Sequence, residues 1–168
     1  MFRILKKSLK TGVVTGKYPR PEPSGHPIAP EASAKAKPFS RSLTIREVDT
    51  GSCNGCEMEM NALMNPVYDA ERFGVHIAAS PRHADALVVT GPVTVNMERA
   101  LKDVYKATPD PKLVIALGDC ACDCGMFKGS YAVTGPVERH IPVDVKVSGC
   151  PPRPTEILRV LQNLMDRG

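Results

Sequence analysis

Apolar positions fall along this chain in short blocks, and the spacing inside each block predicts an element. Leu43–Val48, Val75–Ala79, Ala86–Thr90, Leu113–Leu117 and Val143–Val147 read as strands. Leu87-Val88-Val89 and Leu113-Val114-Ile115-Ala116-Leu117 are apolar without interruption, the pattern of strands covered on both faces. Val143-Asp144-Val145-Lys146-Val147 alternates, as a half-exposed strand does. Between strands the period lengthens to that of a helix. Met97, Leu101 and Val104 share one face of a helix that ends before Pro109. Ile157, Leu158, Leu161, Leu164 and Met165 form the stripe of a C-terminal helix entered through Pro154-Thr155-Glu156. This alternation predicts one three-layer α/β domain with a largely parallel sheet over residues 43–168.

Residues 1–42 follow other rules. Phe2, Leu5, Leu9 and Val13 recur at helical spacing, with Arg3, Lys6, Lys7 and Lys10 beside them, which predicts a short basic amphipathic helix. Such a helix suits anionic lipid or a partner's groove; a frayed basic tail is the other reading. From Tyr18 to Phe39 six prolines argue against regular helix or sheet and predict an extended arm that needs another surface to lie on. Charge divides at the same place: nine Lys/Arg against two Asp/Glu before residue 43, then thirteen against sixteen. The folded part is therefore mildly acidic and poor in aromatic residues, which disfavours a nucleic-acid-binding domain. No apolar run approaches the roughly 20 residues of a membrane span, and charges at Arg3, Lys6 and Lys7 interrupt any signal-peptide core. A reducing, cytosolic setting is expected.

There, clustered cysteines read as metal or redox sites rather than disulfides. Cys53 and Cys56 follow the first predicted strand, Cys120, Cys122 and Cys124 follow the fourth, and Cys150 follows the fifth. All three groups lie just beyond a strand's carboxyl end, where open α/β sheets build their sites. Glycines flank every group, and Pro151-Pro152 follows Cys150. A [4Fe–4S] cluster takes thiolates from a Cys-x-x-Cys pair and from single remote cysteines. Zinc also takes four thiolates, but usually as two knuckle pairs. The spacing favours iron–sulfur, with zinc as chemical rival and free buried thiols as the remaining reading. Thioredoxin-like exchange needs only one pair and leaves Gly149-Cys150-Pro151-Pro152 unexplained.

A longer series of motifs stands in order. It runs Asp49-Thr50-Gly51-Ser52-Cys53-Asn54-Gly55-Cys56-Glu57-Met58-Glu59, Asp69-Ala70-Glu71-Arg72-Phe73-Gly74, and Ser80-Pro81-Arg82-His83-Ala84-Asp85. Val89-Thr90-Gly91-Pro92-Val93-Thr94, Ile141-Pro142-Val143-Asp144-Val145 and Gly149-Cys150-Pro151-Pro152-Arg153-Pro154 complete it. Over about residues 43–165 the chain closely resembles the small subunit of membrane-bound, energy-converting (group 4) [NiFe] hydrogenases, formate hydrogenlyase type included. Those are relatives of the 20-kDa subunit of respiratory complex I.

The resemblance implies a flavodoxin-like α/β domain with one [4Fe–4S] cluster held by Cys53, Cys56, Cys120 and Cys150. It implies an electron-relay subunit whose cluster is proximal to a nickel–iron site in a separate large subunit, with no catalytic residue in this chain. Further iron–sulfur subunits and membrane ion-translocating subunits are the other implied partners. Electrons from ferredoxin or formate would reduce protons to H₂, coupled to ion translocation, at the cytoplasmic face of the cell membrane.

The spaced Cys53-Asn54-Gly55-Cys56 is the hydrogenase form; the complex I branch carries adjacent cysteines. Asp119-Cys120-Ala121-Cys122-Asp123-Cys124-Gly125 departs from the family by two extra cysteines. Cys120 is assigned because Gly118-x-Cys120 directly follows the buried strand, with Cys122 or Cys124 as the alternative third ligand or a spare thiol. Glu59, Arg82 and His83 also match family positions near the cluster. A proton or tuning role for Glu59 stands against a helix-start carboxylate, and an electrostatic role for Arg82 against an interface salt bridge. His26, His76 and His140 have no motif support, and Met58, Met60 and Met64 read as packing or interface residues. Gly12–Lys17 is one residue short of a phosphate loop. A complex I-like quinone oxidoreductase subunit and a zinc-stabilised structural subunit are the rival functions.

Overall fold

The computed structural model describes residues 2–12 and 25–165. Its strands are β1 (Leu43–Asp49), β2 (Val75–Ile77), β3 (Ala86–Thr90), β4 (Val93–Thr94), β5 (Leu113–Leu117), β6 (Val133–Gly135) and β7 (Val145–Val147). Its helices are α1 (Phe2–Thr11), α2 (Pro30–Ala36), α3 (Gly55–Ala62), α4 (Glu98–Ala107), α5 (Asp119–Asp123) and α6 (Pro154–Leu164). Five strands pair in the order β2-β1-β3-β5-β7, all parallel, while β4 and β6 form a separate antiparallel pair. The chain steps from β1 outward to β2, then returns past β1 to β3. That reversal opens a crevice beyond the carboxyl ends of β1 and β3, where this topology places its ligands.

The uninterrupted apolar strands divide their side chains between two cores, as a period of two requires. Val88, Leu113, Ile115 and Leu117 face one side with Leu43, Ile45, Met60 of α3, and Ile157 and Leu161 of α6. Leu87, Val89, Val114 and Ala116 face the other with Val48, Leu101 of α4 and Ala121 of α5. The result is the expected three-layer α/β fold, consistent with a flavodoxin-like domain.

The predicted strands are all present. The fifth begins at Val145 rather than Val143 because Asp144 turns aside: its carboxylate accepts from Val114 N at 2.9 Å and pairs with Lys35 at 2.5 Å. Helix α6 starts where Pro154 predicts it, and the Glu156 carboxylate accepts from Arg153 N at 3.1 Å. One expectation fails. The proline-rich arm was expected to exclude helix, yet α2 forms inside it. Pro30 occupies the first helical turn, where a missing N–H costs nothing. Ala32 and Ala36 are buried in the first core. Position 13 of the amphipathic series, residues 13–17 of the rejected phosphate loop and residues 18–24 of the arm lie outside the described residues.

Candidate metal centre

The chain leaves β1 under tight local control. The Asp49 carboxylate accepts from Gly51 N and Ser52 N, each at 2.8 Å, and turns the backbone back over the sheet edge. Thr50 Oγ1 donates to Thr90 O at 2.8 Å and reaches Gly91 O at 3.1 Å, tying the exit of β1 to that of β3. A Cβ at Gly91 would lie 2.4 Å from Ser52 N, so only glycine lets the two exits come this close. Ser52 Oγ donates to Glu57 Oε1 at 2.6 Å and accepts from Asn54 N at 3.0 Å. This network presents Cys53 at the surface and Cys56, half-buried, in the first turn of α3.

The exits of β5 and β7 are joined just as firmly. Gly118 N donates to Val147 O at 2.7 Å, Asp119 N to Gly149 O at 2.9 Å, and Gly149 N to the Asp119 carboxylate at 2.7 Å. Cys120 and Cys150 therefore ride on loops that hold each other in register. Cys53, Cys56, Cys120 and Cys150 all line one cavity at the carboxyl edge, together with Gly91 and Asp119. At Gly118, with φ +89°, an added Cβ would lie 2.6 Å from Cys56 Sγ. The main chain is thus packed directly against the sulfur.

Two of these thiols, Cys56 and Cys120, are raised by their surroundings. Burial, then Glu57, then the neighbouring cysteines push the Cys56 thiol up to about 12. Burial and the charges of Cys150 and Cys53 push Cys120 up as well. A positively charged occupant would favour the thiolate form of Cys56 and Cys120 against both effects. Among the described residues, no three His, Cys, Asp or Glu side chains are grouped closely enough to hold a single metal ion. The donor set and its glycine cradle fit a larger inorganic core that takes one thiolate per corner.

Cys122 and Cys124 do not line this cavity. Cys122 packs on the second core, with its sulfur 3.6 Å from Ala116 O, and burial holds its thiol up at about 11. Cys124 is buried, ends α5 in the left-handed conformation, and faces a separate groove bordered by Lys128 and Arg139. Glu59 is half-exposed on α3 and does not line the cavity. Arg82 and His83 are exposed in a one-turn helix, Pro81–His83, which leads into the amino end of β3, at the opposite edge of the sheet. His76 is exposed and His26 half-buried. His140 is held between Thr134 Oγ1 at 3.0 Å and Glu98 at 3.5 Å. Met60 is buried, Met64 packs on the same core and Met58 is exposed.

Three acidic residues from the cysteine motifs prove central to the geometry. Asp119 clamps two cysteine loops together, and Asp49 shapes the third. Glu57, buried beside Cys56, is fixed by Ser52 through one oxygen and leaves Oε2 without a hydrogen-bond partner. Glu47 alternates onto the same face of β1, and its Oε1 is likewise buried and unpartnered. Burial, followed by the charges of Glu57 and Asp49, raises the Glu47 carboxyl to about 7.

A parallel α/β domain that gathers four thiols at its switch point presents the donor set of an inorganic centre. Residues 53–164 match the model of the family described as NADH ubiquinone oxidoreductase, 20 kDa subunit, and the chain belongs to that family. It is 53% identical over 120 residues to the probable membrane-bound hydrogenase subunit mbhJ of Pyrococcus furiosus, covering 71% of this chain and 72% of that one. It is 43% identical over 131 residues to formate hydrogenlyase subunit 7 of Escherichia coli, covering 78% of this chain and 51% of the longer relative. Among solved structures, a chain of the membrane-bound sulfane sulfur reductase, an archaeal respiratory membrane complex, superposes with a TM-score of 0.66. That alignment has 34% identity and covers 81% of this chain and 77% of the other. The chain is an oxidoreductase subunit of the hydrogenase and complex I-like kind. No helix among the described residues is long and apolar enough to cross a membrane.

Proposed function

We propose that this chain is the electron-relay subunit of a membrane-bound [NiFe] hydrogenase complex, with Cys53, Cys56, Cys120 and Cys150 holding one [4Fe–4S] cluster. The observation that carries the reading is the convergence of four thiols, from loops after β1, β5 and β7, on one cavity. The cluster supplies one-electron transfer and no substrate chemistry of its own. The chain's task is to fix the four sulfurs, and the Asp119–Gly149 and Asp49–Ser52 hydrogen bonds do so. Cys53 and Cys150 are exposed at the sheet edge, which leaves that edge open to a partner.

Support for the hydrogenase branch comes from the spaced Cys53-Asn54-Gly55-Cys56 and from the identity to mbhJ and formate hydrogenlyase subunit 7. On this reading a large subunit carries the nickel–iron site, other iron–sulfur subunits deliver electrons, and membrane subunits couple H₂ formation to ion movement. The chain sits peripherally at the cytoplasmic face of the membrane. The test is isolation of the complex from its native cells. H₂ evolution by the complex, with iron and labile sulfide on this chain, is expected. A complex that reduces quinone and evolves no H₂, or zinc in place of iron, overturns it.

A further inference from the structure

We infer that α1 is a membrane-surface anchor that lies on anionic lipid. The helix spans Phe2–Thr11, ten residues, and such a length is marginal in water without a surface to stabilise it. Its apolar and charged positions are sharply segregated. Phe2, Leu5 and Leu9 fall within one narrow arc of the helix, and Arg3, Lys6, Lys7 and Lys10 fill the adjoining arc. Its mean hydropathy is nonetheless low, the combination that marks an in-plane interfacial helix rather than a core or membrane-spanning one.

Two observations choose lipid over a protein groove. The four cations are exposed, and residues 2–12 contain no acidic residue. A protein site would need matching carboxylates at fixed positions, whereas an anionic bilayer presents negative charge under any rotation or register of the helix. Leu9, on the apolar arc, is 81% exposed, and its position beside the cations puts it at the depth where acyl chains begin. The inference rests on the chain being a membrane-peripheral subunit and names what the N-terminus touches there.

The test uses the full-length chain in co-sedimentation with two kinds of vesicle, phosphatidylcholine alone and equal parts phosphatidylcholine and phosphatidylglycerol. Binding to the anionic vesicles alone, weakening as salt rises, is expected. Leu9→Glu and the double variant Lys6→Glu/Lys7→Glu each lower it by at least about tenfold. Both variants keep the wild-type circular dichroism and iron content, because α1 carries no residue of the four-cysteine cavity. Equal binding to both vesicle types, no binding to either, or variants that bind like wild type overturn the inference. So does binding of α1 to a partner subunit that vesicles do not compete away. A wild-type chain that carries iron but does not bind the anionic vesicles defeats this inference alone; a wild-type chain that binds them but carries no iron defeats only the relay reading.

Discussion

Cys120 and Cys122 sit two residues apart on α5 and meet opposite surroundings. Two residues turn a helix by about 200°, so Cys120 faces the cavity shared with Cys53, Cys56 and Cys150 while Cys122 faces the second core. Around Cys120 the neighbours include other thiols: burial first, then the charges of Cys150 and Cys53, push its thiol up. Around Cys122 they are backbone carbonyls and apolar side chains; burial is again the largest cause of its raised thiol, but the charges that follow are those of Lys146 and Asp119 rather than of other thiols. A cysteine's chemistry is therefore set by the face it occupies. Helical rotation separates Cys122 from Cys120, whereas Cys124, outside α5 in the left-handed conformation that ends the helix, lines a separate groove.

The sharpest way to break this contrast is to remove one thiol of each kind. Cys150→Ala is expected to abolish iron binding, whereas Cys122→Ala and Cys124→Ala keep it and lose about 1 kcal/mol of stability. Iron per chain after anaerobic reconstitution decides. Retained iron in the first variant, or loss in the others, reassigns the ligands.

Two glycines sharpen the comparison further. Gly118 and Gly129 both have positive φ, +89° and +84°, where alanine strains the backbone by about 1–3 kcal/mol, and Gly118 with ψ 158° lies in an essentially glycine-only region. At Gly129 the new Cβ meets nothing within 4 Å, while at Gly118 it lies 2.6 Å from Cys56 Sγ. Gly118→Ala is expected to lower iron occupancy several-fold, and Gly129→Ala to lower only the melting temperature. Equal iron in the two variants would mean that the cradle does not shape the site.

A smaller effect is expected from Asp119→Ala, which removes the acceptor for Gly149 N. It should cost about 2 kcal/mol in stability by denaturant unfolding and speed cluster loss to a chelator. The smallest concerns Glu47. Its carboxyl titrates near 7 in the folded chain against 4.5 as reference, so the folded state binds its proton more tightly. Stability from this group is present below about 4.5 and is lost as pH rises through 7. Glu47→Gln should flatten that decline, raising stability at pH 8 by about 1 kcal/mol once partial exposure is allowed for. A melting temperature with unchanged pH dependence in the variant would remove Glu47 from the account.

Much of the architecture was legible in the residue pattern. Uninterrupted runs such as Leu113–Leu117 can bury both faces only in a covered parallel sheet, and three cysteine groups past strand ends had to converge on one edge. What escaped depends on contacts between distant segments. Strands β4 and β6 hold two and three residues, too few to show a period. Helix α2 hid among prolines because only position, not number, decides whether proline breaks a helix. Asp119 carries no motif of its own; its role appears only once Gly149 is beside it. Arg82 and His83 have sequence neighbours that match the family, yet the short β2 and its return loop carry them to the amino edge of the sheet.

The most direct measurement is iron and acid-labile sulfide on the anaerobically purified full-length chain, with low-temperature EPR after reduction. The account predicts iron and sulfide in the ratio of a [4Fe–4S] core, and a fast-relaxing signal that disappears in Cys150→Ala. Stoichiometric zinc without iron, or an iron signal that survives loss of Cys150, would contradict it.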